Sequence, residues 1–136
     1  MEKHFLADMM QEEGPSTFRA EPWYNPVGDC VTYKLADEAV VADRVDELLT
    51  VYRSAIDNRP IGFQIKGVRA IIKKFGLDAL AFSMEADSQR VKSISVAMLL
   101  LAAYEEGPRT IGRRKAYAEA MCSVEKTIPA DALRAA

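Results

Sequence analysis

The stretch Leu48-Leu49-Thr50-Val51-Tyr52-Arg53-Ser54-Ala55-Ile56-Asp57-Asn58-Arg59-Pro60-Ile61-Gly62-Phe63-Gln64-Ile65-Lys66 decides the fold. Its two arms alternate apolar and polar residues with a period of two, which is the signature of half-buried strands. In the first arm Leu49 and Val51 share one face, and Leu48, Thr50 and Tyr52 share the other. In the second, Ile61, Phe63 and Ile65 face inward while Gln64 and Lys66 face water. Ala55 to Pro60 is a connection of hairpin length between them. An antiparallel pair with one polar face implies a sheet covered on one side only.

Working toward the N-terminus, Val31, Tyr33 and Leu35 alternate with Thr32 and Lys34 as another strand. Before it stands Trp23-Tyr24-Asn25-Pro26-Val27-Gly28-Asp29-Cys30, a tight turn. Pro26 presets φ, Gly28 tolerates positive φ, and Asn25 and Asp29 can bond their own backbone. Trp23-Tyr24 can supply the partner strand. Asp37 to Glu47 is open: Val40-Val41 fits a short strand, and Asp43-Arg44-Val45-Asp46-Glu47 fits a polar turn or one helical turn. Residues 1–22 read as an N-terminal arm in which Phe5, Leu6, Met9 and Met10 have helical spacing.

Toward the C-terminus the period lengthens. Val68, Ile71, Ile72 and Phe75 form one helical stripe, and Gly76 is a left-handed stop. Leu77 to Met84 has no clean period. Asp87 or Ser88 is the expected cap of a longer helix running to Glu106, ended by Gly107-Pro108. Thr110 is the expected cap of a last helix with Tyr117, Met121, Val124 and Ile128 as its core stripe, closed by Pro129. The expectation is therefore one α+β domain over residues 23–136. A small antiparallel β-meander of three to four strands (23–68) precedes about three α-helices packed on one face (69–129).

Composition narrows the function classes. The chain has 136 residues, 49% of them apolar and 28% charged, with a formal charge of -2. This is a globular balance without a surface-wide field for polyanions. The first residues carry acidic side chains rather than an apolar signal segment, and the longest apolar run, Val96 to Tyr104, is too short to span a bilayer. A cytoplasmic protein with Cys30 and Cys122 as reduced thiols is the expectation.

The lone histidine, His4, lies in the arm, and the two cysteines do not form a Cys-x-x-Cys pair. No metal site is expected. A Ser/His or Cys/His nucleophile would have to recruit His4, and no glycine-rich phosphate cradle is present. Asp43, Asp46 and Glu47 read as a solvated turn. Neither an enzyme nor a cofactor is expected.

Two features point to partners. Arg109, Arg113, Arg114 and Lys115 gather where the last helix begins, the end at which cations are disfavoured. They are candidates for binding phosphate or an acidic partner surface, including nucleic acid. Met98, Leu99, Leu100 and Leu101 point in four directions around the preceding helix, more than one sheet and one neighbouring helix can cover. They are candidates for a two-fold dimer contact.

Tyr24-Asn25-Pro26 with Asp29, followed by a strand and later by Gly62-Phe63-Gln64-Ile65, resembles a family of small bacterial β-meander proteins of unknown function. Its members open with Tyr-Asp-Pro-x-x-Asp and close with Gly-Ile-Glu-Ile. Asn25 stands where that pattern has Asp, and the helices after Val68 have no counterpart in it. The resemblance implies the meander and supplies no site. The leading expectation is a non-enzymatic interaction or regulatory module, homodimeric. Nucleic-acid binding at the basic helix start is the alternative. A small-molecule pocket with Tyr24, Tyr33 and Tyr52 in its lining comes third.

Overall fold

The structure is a computed structural model that describes residues 18–84, 91–122 and 127–134. The N-terminal arm through residue 17, with His4 and its helix-spaced apolar residues, lies outside the described residues. Five strands, β1 (Trp23–Asn25), β2 (Cys30–Lys34), β3 (Val40–Arg44), β4 (Leu49–Ser54) and β5 (Pro60–Lys66), form one antiparallel sheet in the order β1-β2-β5-β4-β3. Strand β5 is central. It pairs Tyr33 with Phe63 on one side and Val51 with Phe63 on the other.

The inward set is Tyr24, Val31, Tyr33, Leu49, Val51, Phe63 and Ile65, all buried. The facing assignment read from the alternation therefore holds on both arms of the hairpin. Leu35 departs from it. It lies just past β2 and is 49% exposed, because the strand ends at Lys34. The strand count also rises from the expected three or four to five. Val40–Arg44 is a strand after all, an edge strand whose Ala42, Asp43 and Arg44 stay exposed and so carry no apolar alternation.

Gly62 allows the central strand to pack so closely. A β-carbon there would lie 2.2 Å from the Tyr33 carbonyl oxygen. Gly67, at φ 68°, turns the chain into α1 (Val68–Phe75), whose Val68 and Ile71 enter the core. Gly76, at φ 86°, ends α1 and leads into the one-turn α2 (Leu77–Leu80).

The next segment corrects the expectation. Residues Ala81–Met84 (β6) and Val91–Ser95 (β7) are strands, and with β8 (Thr127–Pro129) they form a second sheet in the order β6-β7-β8. The long helix does not begin at Asp87 or Ser88, which lie outside the described residues. It is α3 (Val96–Glu105), with the Ser95 hydroxyl accepting from the Met98 amide at 3.2 Å. The helix-like spacing before it belonged to Val91 and Ile94, which β7 buries.

The final helix is shorter too. It is α4 (Ile111–Cys122), and Ile128 enters the core from β8 rather than from a helix face; Val124 is outside the described residues. A short α5 (Ala130–Arg134) follows. Both sheets and the helices share one core, in which Ile94, Leu99, Leu100, Tyr117 and Ile128 meet the inward face of the larger sheet. Among the described residues no helix is long and apolar enough to cross a membrane.

Candidate functional site

The four basic residues at the start of α4 separate into different environments. Thr110 caps the helix as its position implies: its hydroxyl accepts from the Arg113 amide at 3.3 Å, and its carbonyl accepts from the Arg114 amide at 2.9 Å. Arg109 is exposed and pairs with Glu105, one turn earlier on α3, at 2.6 Å. Arg114 and Lys115 are exposed, with no carboxylate at ion-pair distance among the described residues.

Arg113 turns inward and is only 6% exposed. Its Nε donates to Asp46 Oδ2 at 2.7 Å. Nη1 donates to the carbonyls of Tyr104 (2.7 Å) and Pro108 (3.0 Å), and Nη2 donates to that of Ala103 (3.0 Å). The carbonyls of Ala103 and Tyr104 belong to the last turn of α3, where they also accept from the Glu106 and Gly107 amides at 3.1 and 3.4 Å. The guanidinium also lies 4.9 Å from the ring centres of Tyr104 and Tyr117. Gly107 makes this possible, because a β-carbon there would come within 2.9 Å of the guanidinium. Arg113 is thus a clasp between α3, α4 and the β3–β4 turn, and it is removed from the basic surface group.

Asp46 is the residue that the reading of a solvated turn missed. Oδ1 accepts from the amides of Leu48 and Leu49 at 2.8 and 2.7 Å, and Oδ2 accepts from Arg113 and from the Tyr117 hydroxyl at 2.9 Å. Burial opposes its ionisation. The Leu49 amide, the Arg113 guanidinium and the other donors outweigh it and hold the carboxyl below its ordinary range. Burial, reinforced by the Asp46 carboxylate, pushes the Tyr117 phenol up. The available signal was Arg113 and Tyr117 four residues apart, one polar stripe on an otherwise core-facing helix side.

Beside this clasp an open groove of about 730 Å³ runs between β3–β4 and α4, lined by Arg44, Arg53, Lys115, Asp43, Asp46 and Glu119 among others. Arg53 bridges it, bonded to Glu119 at 3.2 Å and to Asp43 at 3.2 Å. Asp43, Asp46 and Glu119 are thus taken up by Arg53 and Arg113, while Arg44 and Lys115 have no carboxylate at ion-pair distance among the described residues.

On α3 the four dimer candidates divide in pairs. Leu99 and Leu100 are fully buried; Met98 and Leu101 are 39% and 40% exposed. The exposed pair, with Phe75, Ala79, Leu80, Ala102 and, at one end, Glu105, lines a recess of about 150 Å³.

The three tyrosines do not come together. Tyr33 is in the core against Phe63, with ring centres 5.8 Å apart. Tyr52 stands on the opposite face of the sheet, paired with Gly62. Tyr24 donates to Asp29 Oδ1 at 2.8 Å. Asp29 also accepts from the Arg69 amide at 3.1 Å, so it caps α1 from the β1–β2 turn. Asn25 Oδ1 accepts from the Val27 amide at 3.0 Å, a role that aspartate fills equally well. The Tyr-Asn-Pro…Asp pattern is thus a structural lock on α1. Among the described residues no three His, Cys, Asp or Glu side chains are grouped to hold a metal ion.

Comparison with protein-family models, with curated proteins and with solved structures finds no match to this chain.

Proposed function

We propose that this chain is a non-enzymatic protein-interaction module that works in the cytoplasm as a two-fold homodimer. The observation that carries the reading is the pair Met98 and Leu101, one turn apart on α3 and each about two-fifths exposed beside an apolar recess. A helix with no charge between Val96 and Tyr104 gains little from facing water, and contiguous exposed apolar surface is where partners dock. Two-fold symmetry lets one patch serve both copies. Light scattering at micromolar concentration tests it, with twice the monomer mass expected. Leu101→Glu should return the protein to monomer without unfolding it. A native chain that stays monomeric at high concentration would sink the reading.

The alternative, nucleic-acid binding at the start of α4, is supported by Arg114 and Lys115 alone. Arg113 is committed to the clasp, and Arg109 is paired with Glu105.

A further inference from the structure

We infer that the outward face of the five-stranded sheet is a binding surface for single-stranded nucleic acid, separate from the dimer contact. The strand register sets Trp23, Thr32, Gln64, Thr50 and Arg44 in one row across all five strands. The next row holds Lys34, Gly62 and Tyr52. Lys66, two residues beyond Gln64, shares the same face. By register Lys34, Arg44 and Lys66 are the only charges on the outward strand positions, and all three are positive, in a chain of formal charge -2; Arg44, at the edge, also donates to the Asp46 carbonyl and borders the α4 groove. Glu38, in the loop after β2, is occupied by Arg59 and by the Ser54 hydroxyl.

The face therefore complements a polyanion where the molecule as a whole does not. It also has what a stacking platform needs. Trp23 is 61% exposed, Tyr52 is half-buried, and the two stand on β1 and β4. Strands lie ~4.8 Å apart, so these rings are separated by roughly 14 Å across the sheet. Thr32 and Gln64 lie between them as hydrogen-bonding side chains for base edges or sugars. Aromatic rings on an open sheet, with cations to hold the backbone, are how sheets bind unpaired bases. Duplex would not fit, because its bases are not free to stack on the rings.

Trp23 is the chain's single tryptophan, so its fluorescence reports on this face alone. The test titrates the protein with ten-nucleotide mixed-sequence RNA and DNA at low salt, following label anisotropy and Trp23 emission. Binding with quenching is expected, and log K should fall with log salt with a slope of about -2 for three phosphate contacts. Trp23→Ala should weaken binding by roughly ten- to a hundred-fold. Should that variant unfold, Tyr52→Ala and Lys34→Gln with Lys66→Gln make the same test.

Absence of any anisotropy change would overturn the inference. So would heparin binding with the same salt slope and no quenching, which would mark a bare electrostatic patch. Binding that survives the sheet variants and is lost with Arg114→Gln and Lys115→Gln would move the site to α4 and overturn it equally.

Discussion

Arg113 and Asp46 show how a charge that looks like function becomes structure once its donors are counted. Arg113 donates to four oxygens on three separate segments, so its removal takes a charge-assisted donor from each at once. Arg113→Gln is expected to cost about 3–5 kcal/mol, read as a shift in the denaturation midpoint. Tyr117→Phe, which removes one bond to Asp46, should cost about 1 kcal/mol. The pH dependence follows from the same contact. Asp46 has its folded pKa below the ordinary 3.8, so its contribution is fully present above that value and is lost as pH falls through the folded pKa. The stability gap between the native protein and Asp46→Asn should therefore narrow below pH 4. A gap that stays constant down to pH 2.5 would contradict it. Phe63, at the centre of the sheet, is fully buried, and Phe63→Ala should cost about 3–5 kcal/mol.

At the scale of elements, two glycines predict opposite outcomes. Gly62→Ala drives a β-carbon into the Tyr33 carbonyl, an atom of the β2 backbone that cannot move without breaking the β2–β5 ladder. It should be among the most damaging single-methyl additions in the chain, with the variant failing to give a cooperative melt. Gly112, in the first turn of α4, has nothing within 4 Å of where a β-carbon would go. Gly112→Ala should stabilise by about 0.5–1 kcal/mol, because alanine loses less entropy in a helix. Equal effects at the two sites would mean that the close approach of β2 to β5 is wrong. The second sheet belongs to this scale as well. Its strands are three to five residues long, too short for a period to emerge from the sequence.

At the scale of the whole molecule, the described residues place three helices of eight to twelve residues and two short ones against a five-stranded sheet and a three-stranded one around a common core. The inward side of the large sheet is used up by that packing; the outward side is left with polar, cationic and aromatic residues. Two exposed surfaces among the described residues are the apolar recess on α3 and the sheet face that carries Lys34, Arg44 and Lys66. They predict separable behaviour. Leu101→Glu should lower the mass seen by light scattering and leave Trp23 quenching by oligonucleotides intact, whereas Lys34→Gln with Lys66→Gln should do the reverse.

The α+β class, the pairing of Leu49–Ser54 with Pro60–Lys66, the inward face of both strands and the α1 stripe were all legible in the residues. Each rests on a local period, and a period records which side chains must leave water together. What a period cannot record is which distant segment arrives as a neighbour. Only the tertiary structure decided that Arg113 leaves the surface to join Asp46, that Val91–Ser95 finds Thr127–Pro129 and becomes a strand, and that Trp23 shares a face with Tyr52, Lys34 and Lys66. The pairing partners are tens of residues apart, and what selects them is the shared burial of the core and the satisfaction of buried polar groups, both properties of the folded whole.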